Sequence, residues 1–566
     1  MKLRGKRRRC LRLLAAHDSA CQSALVFPSP YNRCSIMEQF NILIPDDLSQ
    51  AGLELLKADP AMNVVLAKKM PRAELLAKVA EADALIVRSE TKVDAEVIDH
   101  APRLRVVGRA GIGVDTIDVD AATRRGIIVM NTPQANTTAT CEHTVAMMLS
   151  LARNIPQADA SMHRAEWTRN KFMGVQLQGK TLGIVGYGRI GTQVAKRAQS
   201  FGMDVIAYDP YVSEDHARAT KVKLVELNDL LRQSDFVTLH SALTPGSKGV
   251  LSKEAIALLK PGARVINVAR GALIDMDALY EALKEGRVAG AAIDVFEEEP
   301  PGELPILKLP NVIVTPHLGA STVEAQRDVS TQMAEQILDA LHDREVRNAV
   351  NFPPIDPAVL PVIRPYLRLA DKIGAFQANL LDGRIQRIEV EYRGGDVAPH
   401  AKPLTVALLR GVLAPLLGSE AVNWVNAPVI AAERGIAVSQ AVNLASENYT
   451  NLVSCRVTTD QETRTIAGIL FNGAQPRIVQ IDGFHLDAVP EGHMLVVSSR
   501  DLPGVIGRIG TILGANYVNI AEYRLGRTQA GDKAMNVINL DNAVPDYAMK
   551  ALHDLPEVVW ARQMAL

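Results

Sequence analysis

Aromatic residues are scarce in this chain: they make up 4% of 566 positions, although hydrophobic residues overall make up 48%. A core with few rings must be filled by Val, Ile, Leu and Ala, which favours layered α/β packing over an aromatic-rich sandwich. Cysteine is also scarce. Cys10, Cys21, Cys34, Cys141 and Cys455 show no metal-ligand spacing and no even framework, so neither a metal site nor a disulfide scaffold is expected. Charge of one sign is missing too: the formal net charge is -1, which gives no global footprint for nucleic acid or an anionic membrane. No apolar run reaches the roughly 20 residues of a membrane span. These exclusions leave the profile of a cytoplasmic enzyme, too long for a single core.

The first 36 residues differ from the rest. "MKLRGKRRRCLRLLAA" is basic and nearly free of acids, and "MEQFNILIPDD" from Met37 reads as a fresh domain start. The leader is either a disordered or mis-assigned extension or an organelle transit peptide. From Asn41, short aliphatic runs ("NILIPD", "NVVLAKK", "ALIVRS", "LRVVGRAG", "GIIVMNTP") alternate with amphipathic segments, the pattern of a parallel sheet with crossover helices. A second series after a long helical stretch supplies six more runs, from "KTLGIVGYGRIG" to "NVIVTP", enough for a doubly wound sheet.

The expected organisation is α/β. A Rossmann-type nucleotide domain (140–317) is inserted in a flavodoxin-like substrate domain (37–139 and 318–347). Four prolines between Phe352 and Pro361 then mark a stiff boundary. Beyond it lie an α+β region (358–490) and a βαββαβ, ferredoxin-like module (491–566), an order more typical of binding than of catalysis.

"GIVGYGRIG" places Gly186, Gly188 and Gly191 in G-x-G-x-x-G spacing between a strand and a helix. The first glycine allows the turn, the second admits a pyrophosphate, and the third lets helix and strand approach, with the helix N-terminus favouring the negative charge. Asp209 ends the next strand-like run, at about the spacing expected of a carboxylate on the adenosine ribose, so NAD is favoured over NADP. Three further residues follow three consecutive runs: Arg270 in "NVARGALID", Glu299 in "EEEP" and His317 in "TPHLG". All three belong on the carboxyl edge of the sheet, where ligands bind. Hydride transfer from a hydroxy acid needs a base for the alcohol proton and a cation for the carboxylate. His317 oriented by Glu299 fits the first need, and the planar fork of Arg270 fits the second.

The blocks "GIVGYGRIG…YDP", "NVARGALID", "DVFEEEPP" and "TPHLGAST" resemble the D-isomer-specific 2-hydroxyacid dehydrogenases, in the same order from Asn41 to about Arg347. The resemblance implies that Arg270, Glu299 and His317 are the catalytic set. It further implies that Arg189, Ile190, Ser241, Val268, Ala269, Asp294 and Gly319 contact the cofactor. Ile112 falls where a close relative has threonine, so only a backbone contact is expected there. "LIVRSETKV", "VVGRAGIGVD" and "VMNTP" point within the family to the branch that oxidises 3-phosphoglycerate in the first step of L-serine biosynthesis, with Arg88, Ser89, Arg109 and Asn136 on the substrate. A reductase of glyoxylate or hydroxypyruvate is the alternative. The region 358–490 is similar to the intervening domain of the long-form enzyme and the segment from His493 to an ACT domain, which implies a homo-oligomer (dimer or tetramer) and L-serine as an effector at Asp501 and Asn519.

Overall fold

Five aliphatic runs form β1 (Phe40–Ile44), β2 (Met62–Leu66), β3 (Ala84–Val87), β4 (Val106–Arg109) and β5 (Ile128–Asn131). The computed structural model describes residues 39–566 apart from 69, 354, 356–358, 420 and 446–448, so the basic leader lies outside the described residues. The five strands are parallel in the order β2-β1-β3-β4-β5, the flavodoxin-like arrangement. All four residues of β3 are buried, as expected of a sheet covered on both faces. The helix Val323–Leu341, from far down the chain, covers one face: Val329, Met333, Ala334 and Ile337 join Ile42, Ile86 and Met130 in one apolar cluster. It reaches the helix Gln50–Ala58 almost backbone to backbone, since a Cβ on Gly52 would lie 2.8 Å from the Ser330 carbonyl oxygen.

The second sheet contains β6 (Thr181–Val185), β7 (Asp204–Tyr208), β8 (Lys223–Leu224), β9 (Phe236–Leu239), β10 (Ala263–Asn267), β11 (Val288–Ile293) and β12 (Val312–Val314). They are parallel in the order β12-β11-β10-β9-β6-β7-β8, so the winding reverses between β6 and β9. That reversal opens the crevice in which a dinucleotide lies in such folds. The sheet has seven strands, not the six expected; β8 has only two residues, too short to leave a periodic signal.

The remainder is built on two helices, Leu360–Leu380 and Ala401–Leu417, which cross closely at two glycines. A Cβ on Gly374 would lie 2.3 Å from the Leu408 carbonyl oxygen, and one on Gly411 would lie 2.1 Å from that of Asp371. A mixed sheet packs on them: β13 (Ile385–Arg393), β14 (Ala437–Asn443), β15 (Leu452–Thr459), β16 (Thr463–Phe471), β17 (Gln475–Ile481) and β18 (Phe484–Ala488), in the order β14-β13-β15-β16-β17-β18. "PRIVQIDGFHLD" is a hairpin and not one strand, and β14 has no counterpart among the expected runs. The last module follows the expected βαββαβ order, with β19 (His493–Arg500), β20 (Ile520–Arg527), β21 (Lys533–Leu540) and β22 (Val558–Ala565) arranged β20-β21-β19-β22.

Alternation along the strands sends Leu495, Val497 and Ile538 toward that module's own helices and Met494, Val496, Met535 and Val537 toward the Leu360–Leu380 helix. Position 490 therefore separates two sheets but not two cores. Arg464 of β16 stacks on Trp560 of β22, and Arg562 is ion-paired with Asp382 across the same junction.

Candidate active site

The loop between β6 and the helix Arg189–Ser200 carries the three glycines. Gly186 has φ +94°, and a Cβ there would meet the Ser241 backbone nitrogen at 2.6 Å. A Cβ on Gly191 would sit 2.3 Å from the Gly186 carbonyl oxygen, so helix and loop are in close contact. Gly188 caps the helix without a side-chain hydrogen bond, and nothing lies within 4 Å of the place where its Cβ would be. The open side of the loop thus faces the crevice with a free helix N-terminus, a fit for the pyrophosphate of NAD. Asp209, at the end of β7, accepts hydrogen bonds from the backbone N–H groups of Tyr187 (2.8 Å) and Tyr211 (2.9 Å), which holds its carboxylate beside the loop. Ser241 donates to the Val185 carbonyl behind it. Ile190 is partly buried on the same helix, and Arg189 reaches across the crevice to the Pro133 carbonyl of the first lobe at 3.4 Å.

His317 follows β12 with φ +55°, a left-handed backbone that needs support outside glycine. Asp294, just after β11 and fully buried, supplies it. Its carbonyl accepts from the His317 N–H at 2.9 Å, and its carboxylate accepts from the next two amides, Leu318 at 2.7 Å and Gly319 at 2.9 Å. Thr315 Oγ1 (2.5 Å) and His143 Nε2 (3.1 Å) bond the same carboxylate. Burial pushes the Asp294 carboxyl up, but these hydrogen bonds outweigh it and hold the group below the usual carboxylate range. Asp294 thus anchors the His317 turn. Val268 and Gly319 close the same wall, since a Cβ on Gly319 would lie 3.1 Å from Val268 Cγ1 and 3.3 Å from Asp294 Oδ2.

His317 Nδ1 is 2.7 Å from Glu299 Oε2, leaving Nε2 on the partly exposed ring edge. Glu299 also accepts from the Phe296 N–H at 3.1 Å. Burial raises its pKa, while the His317 and Phe296 hydrogen bonds lower it further, so it too lies below the ordinary range. A carboxylate on Nδ1 fixes the ring's tautomer, the geometry a histidine base requires.

Arg270 follows β10, where buried Asn267 shapes the turn by donating to the Arg270 carbonyl and accepting from the Ala269 N–H. A short 3-10 turn, Gly271–Leu273, follows it and leads into the helix Met276–Lys284. The guanidinium crosses to the first lobe: Nε lies 2.7 Å from Asp115 Oδ2, and Gly113 has no room for a Cβ because Nη2 would be 1.7 Å away. Arg109, the last residue of β4, is partly buried, with its Nε buried and unpartnered. Its pKa is pushed down to about 10, by burial first and then by the charges of Arg88 and Arg270. Arg88, directly after β3, is lowered by burial as well, and no hydrogen bond or ion pair holds its guanidinium among the described residues. Three arginines thus lie close together, Arg270 paired with Asp115 and the other two near Asp46 without a direct ion pair among the described residues, an arrangement suited to a multiply charged anion.

Ser89 is exposed beside Arg88, and Asn136 caps the helix Thr137–Arg153 with its Oδ1 buried and unpartnered. The Ile112 carbonyl accepts from Asn131 Nδ2 at 2.6 Å. The two effector candidates lie apart from this cleft: Asp501 accepts from Gly531 N–H and Arg527, and Asn519 donates to Asp541 at 2.7 Å. Asp115, His143, Thr315 and Asn267 were not singled out from the sequence, since each gains its place only through folding.

Residues 145–319 match the family described as the D-isomer specific 2-hydroxyacid dehydrogenase, NAD binding domain, and residues 362–482 match the D-3-phosphoglycerate dehydrogenase intervening domain. A D-3-phosphoglycerate dehydrogenase of Methanocaldococcus jannaschii is 43% identical over 91% of this chain and 98% of its own length. This chain belongs to the D-3-phosphoglycerate dehydrogenase family. The Bacillus subtilis D-3-phosphoglycerate dehydrogenase is 42% identical over 92% of the chain and 98% of its own length. Among solved structures, a Thermus thermophilus protein aligns with TM-score 0.52 and 37% identity over 55% of this chain and all of its own. A glyoxylate reductase from a Paecilomyces species aligns with TM-score 0.51 and 30% identity over 55% of this chain and 98% of its own. The family is an NAD-dependent oxidoreductase family, and the NAD-binding match spans the glycine loop, Asp209, Arg270, Glu299 and His317. Among the described residues no helix is long and apolar enough to cross a membrane.

Proposed function

We propose that the cleft oxidises (2R)-3-phosphoglycerate to 3-phosphohydroxypyruvate in L-serine biosynthesis, in the cytoplasm and as a homo-oligomer. The observation that carries the substrate is the closeness of Arg88, Arg109 and Arg270 to one another. Glyoxylate or hydroxypyruvate would leave Arg88 and Arg109 with no phosphate to bind.

NAD, when bound, supplies the hydride acceptor. Gly186, Gly188, Gly191, Arg189 and Ile190 would hold its pyrophosphate, Asp209 its adenosine ribose, and Ser241, Val268, Ala269, Asp294, Ile112 and Gly319 would line it. His317 takes the C2 hydroxyl proton on Nε2, because Nδ1 is engaged by Glu299. As that proton arrives, the ionised Glu299 stabilises the charge gained by the ring. Arg270 releases Asp115 and forks onto the C1 carboxylate and C2 oxygen, while Arg88, Arg109, Ser89 and Asn136 hold the phosphate.

For the terminal module we propose that L-serine binds at Asp501 and Asn519 and lowers turnover. One assay tests the whole reading: NADH formation from 3-phosphoglycerate, with and without L-serine, beside NADH consumption with glyoxylate and hydroxypyruvate. Faster turnover of an unphosphorylated acid would overturn the substrate, and indifference to serine would overturn the effector alone.

A further inference from the structure

Sheet edges are templates for pairing, and proteins blunt them by making them short, charged or covered. Most edges here follow that rule. β8 has two residues and β12 three. β2 runs into Lys68, which is ion-paired with Asp47. β5 is covered by the segment 348–351, through Val350 N–H to the Val129 carbonyl at 2.7 Å and a bridge from Met130 to Ala349. β18 and β20 abut, since a Cβ on Gly526 would lie 2.7 Å from the His485 carbonyl oxygen, and β22 carries Arg562.

β14 departs from the rule. It is seven residues long, AVSQAVN, and every one is exposed. It pairs only with β13, in parallel register from Arg387↔Ala437 to Arg393↔Asn443, and no strand lies on its outer side among the described residues. Between Arg434 and Glu447 the sequence has no charge and no proline, so nothing blocks a further strand.

We propose that β14 is an oligomer interface that pairs antiparallel with β14 of a second copy about a two-fold axis through Gln440. A two-fold contact must be self-complementary, and this sequence is. In that register Val438 faces the copy's Val442, Ser439 faces the copy's Ala441, and Gln440 faces the copy's Gln440. The valines, 38% and 55% exposed in the single chain, become a cross-strand apolar pair on each side of the axis. The short chains of Ser439 and Ala441 let the other face close without collision, and the absence of charge means that no like pair is brought together. The result is a continuous sheet of two six-stranded halves. This interface is independent of the catalytic reading, because β14 belongs to the sheet of the intervening region and not to the cleft.

The test uses the full chain with Cys10, Cys21 and Cys34 changed to Ser and Gln440→Cys added, treated with a short bismaleimide. A covalent dimer is expected on a denaturing gel, at least tenfold more abundant than from Glu214→Cys in the same background. Adding Val438→Lys, which sets lysines against the copy's Val442 on an exposed position, should remove that cross-link and halve the native mass in sedimentation, while NADH formation shows the chain still folded. Adding Val442→Glu to Val438→Lys should restore both, because each lysine then faces a glutamate of the copy. The proposal is overturned if Gln440→Cys links no better than the control, if Val438→Lys leaves link and mass unchanged, or if β14 links only to unrelated protein.

Discussion

Asp294 and Glu299 show how burial and hydrogen bonding compete at single positions. Burial is the largest influence on each, yet both carboxyls end below their ordinary pKa because several donors converge on them. The sign of the pH dependence follows. Asp294 has a lower pKa folded than unfolded, so its contribution is complete above the ordinary carboxylate range and is lost as pH falls through the lowered value. Asp294→Asn should therefore cost about 1–3 kcal/mol at neutral pH, from donors left without an acceptor. That gap should shrink on acidification below about pH 4; paired urea titrations at several pH values measure it, and a gap that widened would refute the account. His317→Ala should lower kcat by roughly 10²–10⁴-fold, as expected for a lost general base, and steady-state kinetics with saturating 3-phosphoglycerate would decide it. At this scale the sequence discloses Arg270, Glu299 and His317, because each follows an apolar run. It does not disclose Asp115, which is 155 positions from the arginine it meets.

The glycine loop separates two demands that one motif combines. Gly191 touches the backbone of its own loop, whereas the space beside Gly188 is empty. Gly191→Ala should lower stability by about 1–3 kcal/mol through overpacking. Gly188→Ala should leave the melting temperature nearly unchanged but weaken NAD at least tenfold; calorimetry of both variants, with and without NAD, distinguishes the two roles. Among elements, the parallel strands are readable because both faces are buried and the runs are continuously aliphatic. β8 is unreadable because it is too short. β14 is unreadable for the opposite reason: it is exposed on both faces, so no alternation of apolar and polar residues marks it.

The catalytic half of the molecule does not end at its last helix. The Asn131 N–H donates to the Asn348 carbonyl, and Asn351 Oδ1 accepts from Val129 N–H, so the segment after Arg347 stays bound to the edge of β5. Asn131 in turn donates to the Ile112 carbonyl, and Ile112 is proposed to line the cofactor. A chain ending at Phe352 should keep kcat within about twofold of the full protein, whereas one ending at Arg347 should melt lower and show a higher KM for NAD. Equal behaviour of the two truncations would show that the segment is dispensable. The proline cluster signals this boundary in the sequence, but not on which side the stitching falls, since that depends on backbone pairing with a distant strand. One last consequence follows from the ion pair between Arg270 and Asp115. If Arg270 takes the substrate carboxylate as proposed, the protein keeps a carboxylate of its own in that place, so docking is an exchange of one tenant for another and not the filling of a vacant charge. Added salt should weaken the outgoing and incoming pairs alike, and the dependence of KM on ionic strength should report almost entirely on the phosphate end.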